Sequence, residues 1–140
     1  MNFLLSFDIS ASGLYAQRKR MNVIASNLAN IETTHTQRGG PYRRKVVVMS
    51  TKPVGAFDKV LTSQAEGVKI DDIVEDKSPF RKVYNPGHPD ADKEGYLVKP
   101  NVDLVVEITN MLMARRVFEA NLAAMKSTKQ MAMKALEIGR

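Results

Sequence analysis

The chain has 140 residues and a formal net charge of +6, with no Cys and no Trp, a length that suits one domain with a modest core. Without cysteine there is no disulfide framework, no thiol nucleophile and no thiolate metal site. The charge is spread along the chain, and only Arg18-Lys19-Arg20 and Arg43-Arg44-Lys45 are dense enough to suggest an anionic partner.

The first residues, Met1-Asn2-Phe3-Leu4-Leu5-Ser6-Phe7-Asp8, place no basic residue ahead of a short apolar stretch that Asp8 ends. This is a poor cleavable signal peptide, so export would need another route. No apolar run approaches the roughly 18 residues needed to span a bilayer. Phe7, Leu14, Met21 and Leu28 recur at intervals of seven, with Phe3, Ala11 and Ala25 widening the stripe and Ile24 and Ile31 extending it. That spacing predicts a helix with a coiled-coil-like seam. Ser10, Ser12 and Gly13 weaken its early turns, which are expected to order only on packing. Ile31-Glu32-Thr33-Thr34 then leads into a polar stretch ending at Gly39-Gly40-Pro41, a loop signal.

The middle, residues 35–101, reads as extended and β-rich. Tyr42 to Met49 contains the β-branched run Val46-Val47-Val48, and Gly67 to Ile70, Ile73-Val74 and Phe80 to Tyr84 are further strand candidates. Residues 50–66 are weakly patterned and expected to be mobile. Pro86, Gly87, Pro89, Gly95 and Pro100 mark residues 85–101 as turns and irregular chain.

The C-terminal third carries the strongest signal. No Pro lies between Asp103 and Ile138, Asn101 or Asp103 can cap the start, and Gly139 is a natural stop. On a wheel at about 100° per residue, Leu104, Ile108, Met111, Phe118, Leu122, Met125 and Leu136 form one apolar stripe. Val106, Met113, Val117, Ala120, Ala124, Met131, Ala135 and Ile138 form a second, roughly 140° away. Arg115, Arg116, Glu119, Lys126, Gln130, Lys134 and Glu137 share a sector between them. A surface helix of a small monomer needs one stripe. A helix of about 36 residues runs about 54 Å, whereas a globule of this size is only about 30 Å across. The expected fold is therefore mainly α with a small β-rich middle. Long N- and C-terminal helices pair as a coiled-coil-like unit around a short extended segment, and they need neighbours.

No chemistry accompanies this architecture. His88, in Asn85-Pro86-Gly87-His88-Pro89-Asp90-Ala91-Asp92, has carboxylates nearby but no EF-hand spacing, and Asx and Pro turn chemistry accounts for the segment. His35 has no partner close in sequence, and Asp71-Asp72 and Glu75-Asp76 read as a solvated edge. Gly39-Gly40 fits neither GxGxxG nor a P-loop, and no Ser lies in a GxSxG elbow. No catalytic residue, cofactor or metal site is expected. For Arg43-Arg44-Lys45, three readings stay open: a salt-bridged or solvent-facing strand edge, contact with phosphates, or pairing with acidic residues of a neighbouring subunit. No nucleic-acid motif accompanies the triplet.

The segment Ala25-Ser26-Asn27-Leu28-Ala29-Asn30-Ile31-Glu32-Thr33-Thr34 resembles the signature of flagellar rod and hook proteins. Gly39-Gly40-Pro41-Tyr42-Arg43-Arg44-Lys45, Tyr84 to Asp92, Gly95-Tyr96 and Lys99-Pro100-Asn101-Val102 are similar to the proximal-rod branch of that family. So are Ala114 to Asn121 and Ala135 to Gly139, with Phe118 where Tyr is common. The resemblance implies that residues 1–34 and 102–140 supply the helices of a rod core domain and that 35–101 packs outside. It also implies helical assembly with copies of itself and other rod proteins, and contact with basal-body ring and adaptor components. Uncleaved passage through the flagellar export apparatus to a periplasmic rod would follow, with torque transmitted and the export channel lined. The assembly interface is expected at Phe7, Leu14, Met21 and Leu28, and at Leu104, Ile108, Met111, Phe118, Leu122 and Met125. Met113, Val117, Ala120, Ala124 and Met131 complete it. A small cytoplasmic coiled-coil adaptor, or a nucleic-acid-associated protein, is the alternative from the residues alone; it predicts a closed oligomer and a salt-dependent DNA shift.

Overall fold

Asp103 starts the longest element, its Oδ1 accepting from the amides of Val105 (2.9 Å) and Val106 (3.1 Å), an N-cap that satisfies donors the helix leaves free. In the computed structural model, which describes residues 3–53 and 66–138, that element is α2, Leu104–Ile138, and it packs on α1, Phe3–Ala29. Between them lie β1 (Lys45–Pro53), β2 (Glu66–Glu75), β3 (Arg81–Tyr84) and β4 (Tyr96–Lys99). The order is mainly helical with a β-rich middle, as the periodicity predicts. Gly139, the expected stop, lies outside the described residues.

α1 ends at Ala29. Asn30 folds its side-chain amide back onto the Ser26 carbonyl (2.8 Å), and the Asn30 and Ile31 amides close short turns. Asn competes in this way with the helix's own ladder. The two helices run antiparallel: Asn27 meets Glu107 at one end, and Gly13 meets Asn121 fourteen residues further along each helix. α2 has 35 residues against 27 in α1, so it is longer by about 12 Å.

β1 and β2 form an antiparallel ribbon against α1, from Lys45↔Glu75 to Pro53↔Glu66, with a bulge between Val48 and Met49. The strand candidates at 67–70 and 73–74 are one continuous strand. Of the weakly patterned stretch 50–66, residues 50–53 and 66 belong to the ribbon, and 54–65 lie outside the described residues. The stretch 85–101 holds more order than its prolines and glycines suggest, because β4 pairs with β3 from Arg81↔Lys99 to Tyr84↔Tyr96. Asp92 closes that hairpin, its Oδ1 accepting from the amides of Glu94 (3.0 Å) and Tyr96 (2.8 Å). Gly95 takes φ of 82°, and a Cβ there would lie 2.9 Å from the Tyr84 ring, so only glycine fits the turn. Leu97 and Val102, at 2% and 1% exposure, anchor this end of the molecule.

Candidate assembly surface and its polar anchor

Where α1, the start of β1 and α2 meet, the fold is joined by polar groups. Asn27 and Glu107 are 1% and 0% exposed. The Asn27 amide donates to the Lys45 carbonyl (2.9 Å) and to Glu107 Oε2 (2.9 Å). Its Oδ1 accepts from the Lys45 amide (2.9 Å) and the Tyr42 hydroxyl (3.0 Å). Both donors and both acceptor positions are therefore filled. Toward Lys45, Asn27 acts as a strand neighbour would, completing main-chain bonds that β1 cannot make to a helix.

Arg44 closes the other side. Its Nε and Nη2 each lie 2.8 Å from Glu107 Oε1, and its Nη1 lies 3.3 Å from Asp76 Oδ2. Burial by itself pulls the Arg44 guanidinium down, but Glu107 and Asp76 more than reverse this and hold it above its ordinary pKa. Asn101 fastens the neighbouring chain, accepting from the Arg44 amide (2.8 Å) and donating to the Asp76 carbonyl (3.0 Å). Backbone and side-chain hydrogen bonds from Ser78, with a smaller contribution from Arg44, hold the Asp76 carboxyl below the usual range. A depressed carboxylate stabilises the fold above its unfolded pKa of about 3.9, and that contribution is lost as pH falls through the folded value. Thermal unfolding midpoints are therefore expected to drop below about pH 4, and Asp76→Asn should flatten part of the drop.

The helix–helix seam is not the one that apolar periodicity suggests. On α2 the fold buries Glu107, Ala114 and Thr128, with Asn121 against Gly13; on α1, which meets both α2 and the ribbon, it buries Ser10, Gly13, Ala16, Val23, Ile24 and Asn27. On the α2 wheel these small and polar residues occupy the narrower sector between the two apolar stripes. Met111, Phe118 and Met125, on the near edge of the first stripe, are half-buried, while Leu104, Ile108 and Leu122 are exposed. Met113, Val117, Ala120, Ala124 and Met131 of the second stripe are all exposed, Met113 by 59%. Phe7, Leu14, Met21 and Leu28 are half-buried, on the flank of α1 rather than at its centre of contact.

Residues 7–34 match the family described as flagella basal body rod protein, and residues 93–138 match flagellar basal body rod FlgEFG protein C-terminal. A flagellar basal-body rod protein FlgC of Bacillus subtilis is 47% identical, over 96% of this chain and 97% of its own. The chain belongs to the flagellar basal-body rod proteins of the FlgC type. Similar FlgC proteins include one from Escherichia coli O6:H1, 42% identical over the whole of both chains, and one from Borreliella burgdorferi, 38% identical over 99% and 98%. It is a structural subunit of the basal-body rod.

In this rod protein Gly13 packs directly against Asn121 of α2. A Cβ built there would lie 2.8 Å from Asn121 Nδ2 and 3.1 Å from its Cγ. The Asn121 side chain can yield to a methyl group, and Ala regains about 1 kcal/mol of helix propensity, so Gly13→Ala is expected to be near neutral. Gly13→Leu forces the helices apart and should lower stability by about 1–3 kcal/mol in urea unfolding. Apolar stripes do not mark these seam residues; the signal for them in the sequence is the spacing of Glu107, Ala114, Asn121 and Thr128 by seven.

The histidines of the rod protein lie together but serve the loops. Asp90 accepts from the Thr34 hydroxyl (2.7 Å) and lies 3.3 Å from His35 Nε2, while His88 Nδ1 accepts from the Asp90 amide (3.1 Å). With the Lys99–Glu32 ion pair, these contacts tie the β3–β4 hairpin to the chain leaving α1. Among the described residues, no group of three or more His, Asp or Glu side chains is placed to hold a metal ion. No helix there is long and apolar enough to cross a membrane.

Proposed function

We propose that the chain builds the proximal rod, assembling helically with copies of itself and with other rod proteins through a core domain made of residues 1–34 and 102–140. The observation that carries this reading is α2 itself: one sector of its circumference meets its own chain, and apolar residues flank that sector on both sides. Exposed apolar area of that extent marks an interaction surface. Residues 35–101 pack outside the core, and the charged sector with Arg115, Lys126 and Lys134 faces the export channel or a neighbour. The role is structural rather than enzymatic, with no cofactor and no nucleic acid. Ring and adaptor components of the basal body and the export apparatus are the further partners. Export is uncleaved, and the rod carries torque in the periplasm.

Leu14→Asp and Met21→Asp test the reading on the α1 flank. A carboxylate in a dry helical interface costs several kcal/mol, so either variant, as the only copy in the cell, should be made and exported yet leave cells non-motile. Normal swimming with either would remove the α1 flank from the interface.

A further inference from the structure

Alternation along extended backbone sends Arg44 to one side of the chain and Arg43 and Lys45 to the other. Arg44 is consumed by Glu107 and Asp76. Arg43 and Lys45 instead line an open concavity of about 520 Å³ beneath the loop from Thr36 to Tyr42, walled by Glu75 and Phe80. Among the described residues neither cation has a carboxylate partner. Arg43 Nη1 donates to the carbonyls of Asp76 (3.0 Å) and Ser78 (3.2 Å), and its guanidinium stacks 4.2 Å from the Phe80 ring centre. Those contacts hold the fork in place and, among the described residues, leave Nε and Nη2 without a hydrogen-bond partner. Lys45 Nζ lies 5.7 Å from the Tyr42 ring. The other charges of the wall, Arg38 and Glu75, pair with each other at 3.6 Å. The concavity thus carries two uncompensated positive charges, one of them a pre-set guanidinium suited to a carboxylate.

The complementary charge lies on the same ribbon. Residues 66–76 contain five carboxylates and one Lys, with Glu66 at the far end of the ribbon opposite Pro53. Asp76 is taken by Arg44, Glu75 by Arg38, and Asp71 by Ser50 and Lys69. Among the described residues Asp72 meets only the neighbouring Ile73 amide (2.7 Å). The bulge falls here: Val48 pairs with Asp72 and Met49 with Ile70, so Asp71 is the extra residue and both aspartates are exposed. Bulges re-aim side chains in this way. Within one chain Asp72 does not serve the concavity, because it is three residues along β2 from Glu75, the partner of Lys45, or about 10 Å.

We propose that the Arg43–Lys45 concavity receives Asp72 of a second copy of this chain in the assembled rod, an outer contact added to the helical core. This rests on the assembly reading above. The test uses Lys45→Cys and Asp72→Cys on separate copies in the Cys-free background, mixed in motile cells and treated with a short bis-maleimide in isolated basal bodies. A parallel pair, Leu14→Cys with Ala124→Cys, reports the helical core. Cross-linking of 45 to 72 between copies is the expected result. If the core pair links and 45–72 does not, the socket is wrong and assembly stands; if neither links, both readings fail. Charge reversal gives a second readout. Lys45→Glu or Asp72→Lys alone should reduce the assembled fraction about tenfold at low salt, with the circular-dichroism melt unchanged, and the double exchange should recover most of it. No recovery in folded double variants would overturn the pairing. Inorganic phosphate at millimolar concentration that competes only with the wild-type concavity, with no recovery on exchange, would mark it as an anion site unrelated to a second copy.

Discussion

Glu107→Ala is expected to lower the free energy of unfolding by about 3–5 kcal/mol, the cost of removing one partner of a buried ion pair. Glu107 is fully buried and serves Asn27 with one oxygen and Arg44 with the other. Its loss leaves an Asn27 donor unfilled and Arg44, whose side chain is 23% exposed, facing Asp76 alone. The order within a series tests the cause. Glu107→Gln keeps an acceptor for Asn27 and should cost less than Glu107→Ala. Glu107→Leu with Arg44→Met removes both charges and fills the space, and it should also be milder than Glu107→Ala, because no buried charge is stranded. Urea unfolding with a constant slope gives the comparison directly. If Glu107→Ala costs under about 1 kcal/mol, the value of an ordinary surface change, the anchor does not hold the helices to the middle segment.

Ala124→Glu is expected to do the opposite: leave the subunit intact and abolish its assembly. Ala124 is exposed on α2, and substitutions at such positions usually change stability by less than about 0.5 kcal/mol. In an assembled rod the same position would lie where small residues allow helices to approach. A glutamate there brings bulk and an unpaired charge, which costs several kcal/mol in a desolvated interface. Phe118→Ala is the counterpart. Phe118 is half-buried beside the intrachain seam, so its truncation should lower monomer stability, by less than the roughly 3–5 kcal/mol of a fully packed core position. Circular-dichroism melts and sedimentation of the two variants should therefore give crossed results. Normal assembly of Ala124→Glu would show that the second stripe faces solvent in the rod as well.

These two residues mark where sequence stops being sufficient. The hydrophobic period determined that both ends are long helices, because side chains recurring along one face need no tertiary information to be read. The sequence narrowed the start of α2 to a cap at Asn101 or Asp103, since a cap acts on amides two and three residues further along its own chain. The sequence also carried the family, in the Ala25 to Thr34 signature and the His88-Pro89-Asp90-Ala91-Asp92 segment. It did not disclose β4, whose flanking Gly95 and Pro100 read as breakers although Asp92 and Tyr84 turn them into a hairpin. Nor did it disclose how the helices meet. Apolar residues announce themselves by pattern, but Ser10, Gly13, Asn27, Glu107, Asn121 and Thr128 look like surface positions until a partner is known. The Asn27–Glu107 hydrogen bond joins segments 80 residues apart, and the close approach of Gly13 and Asn121 joins positions still further apart in the chain. Only the tertiary structure decided that the sector with Glu107, Ala114, Asn121 and Thr128 turns inward while the second apolar stripe faces out, because burial of a polar group is favourable solely where its partners already stand.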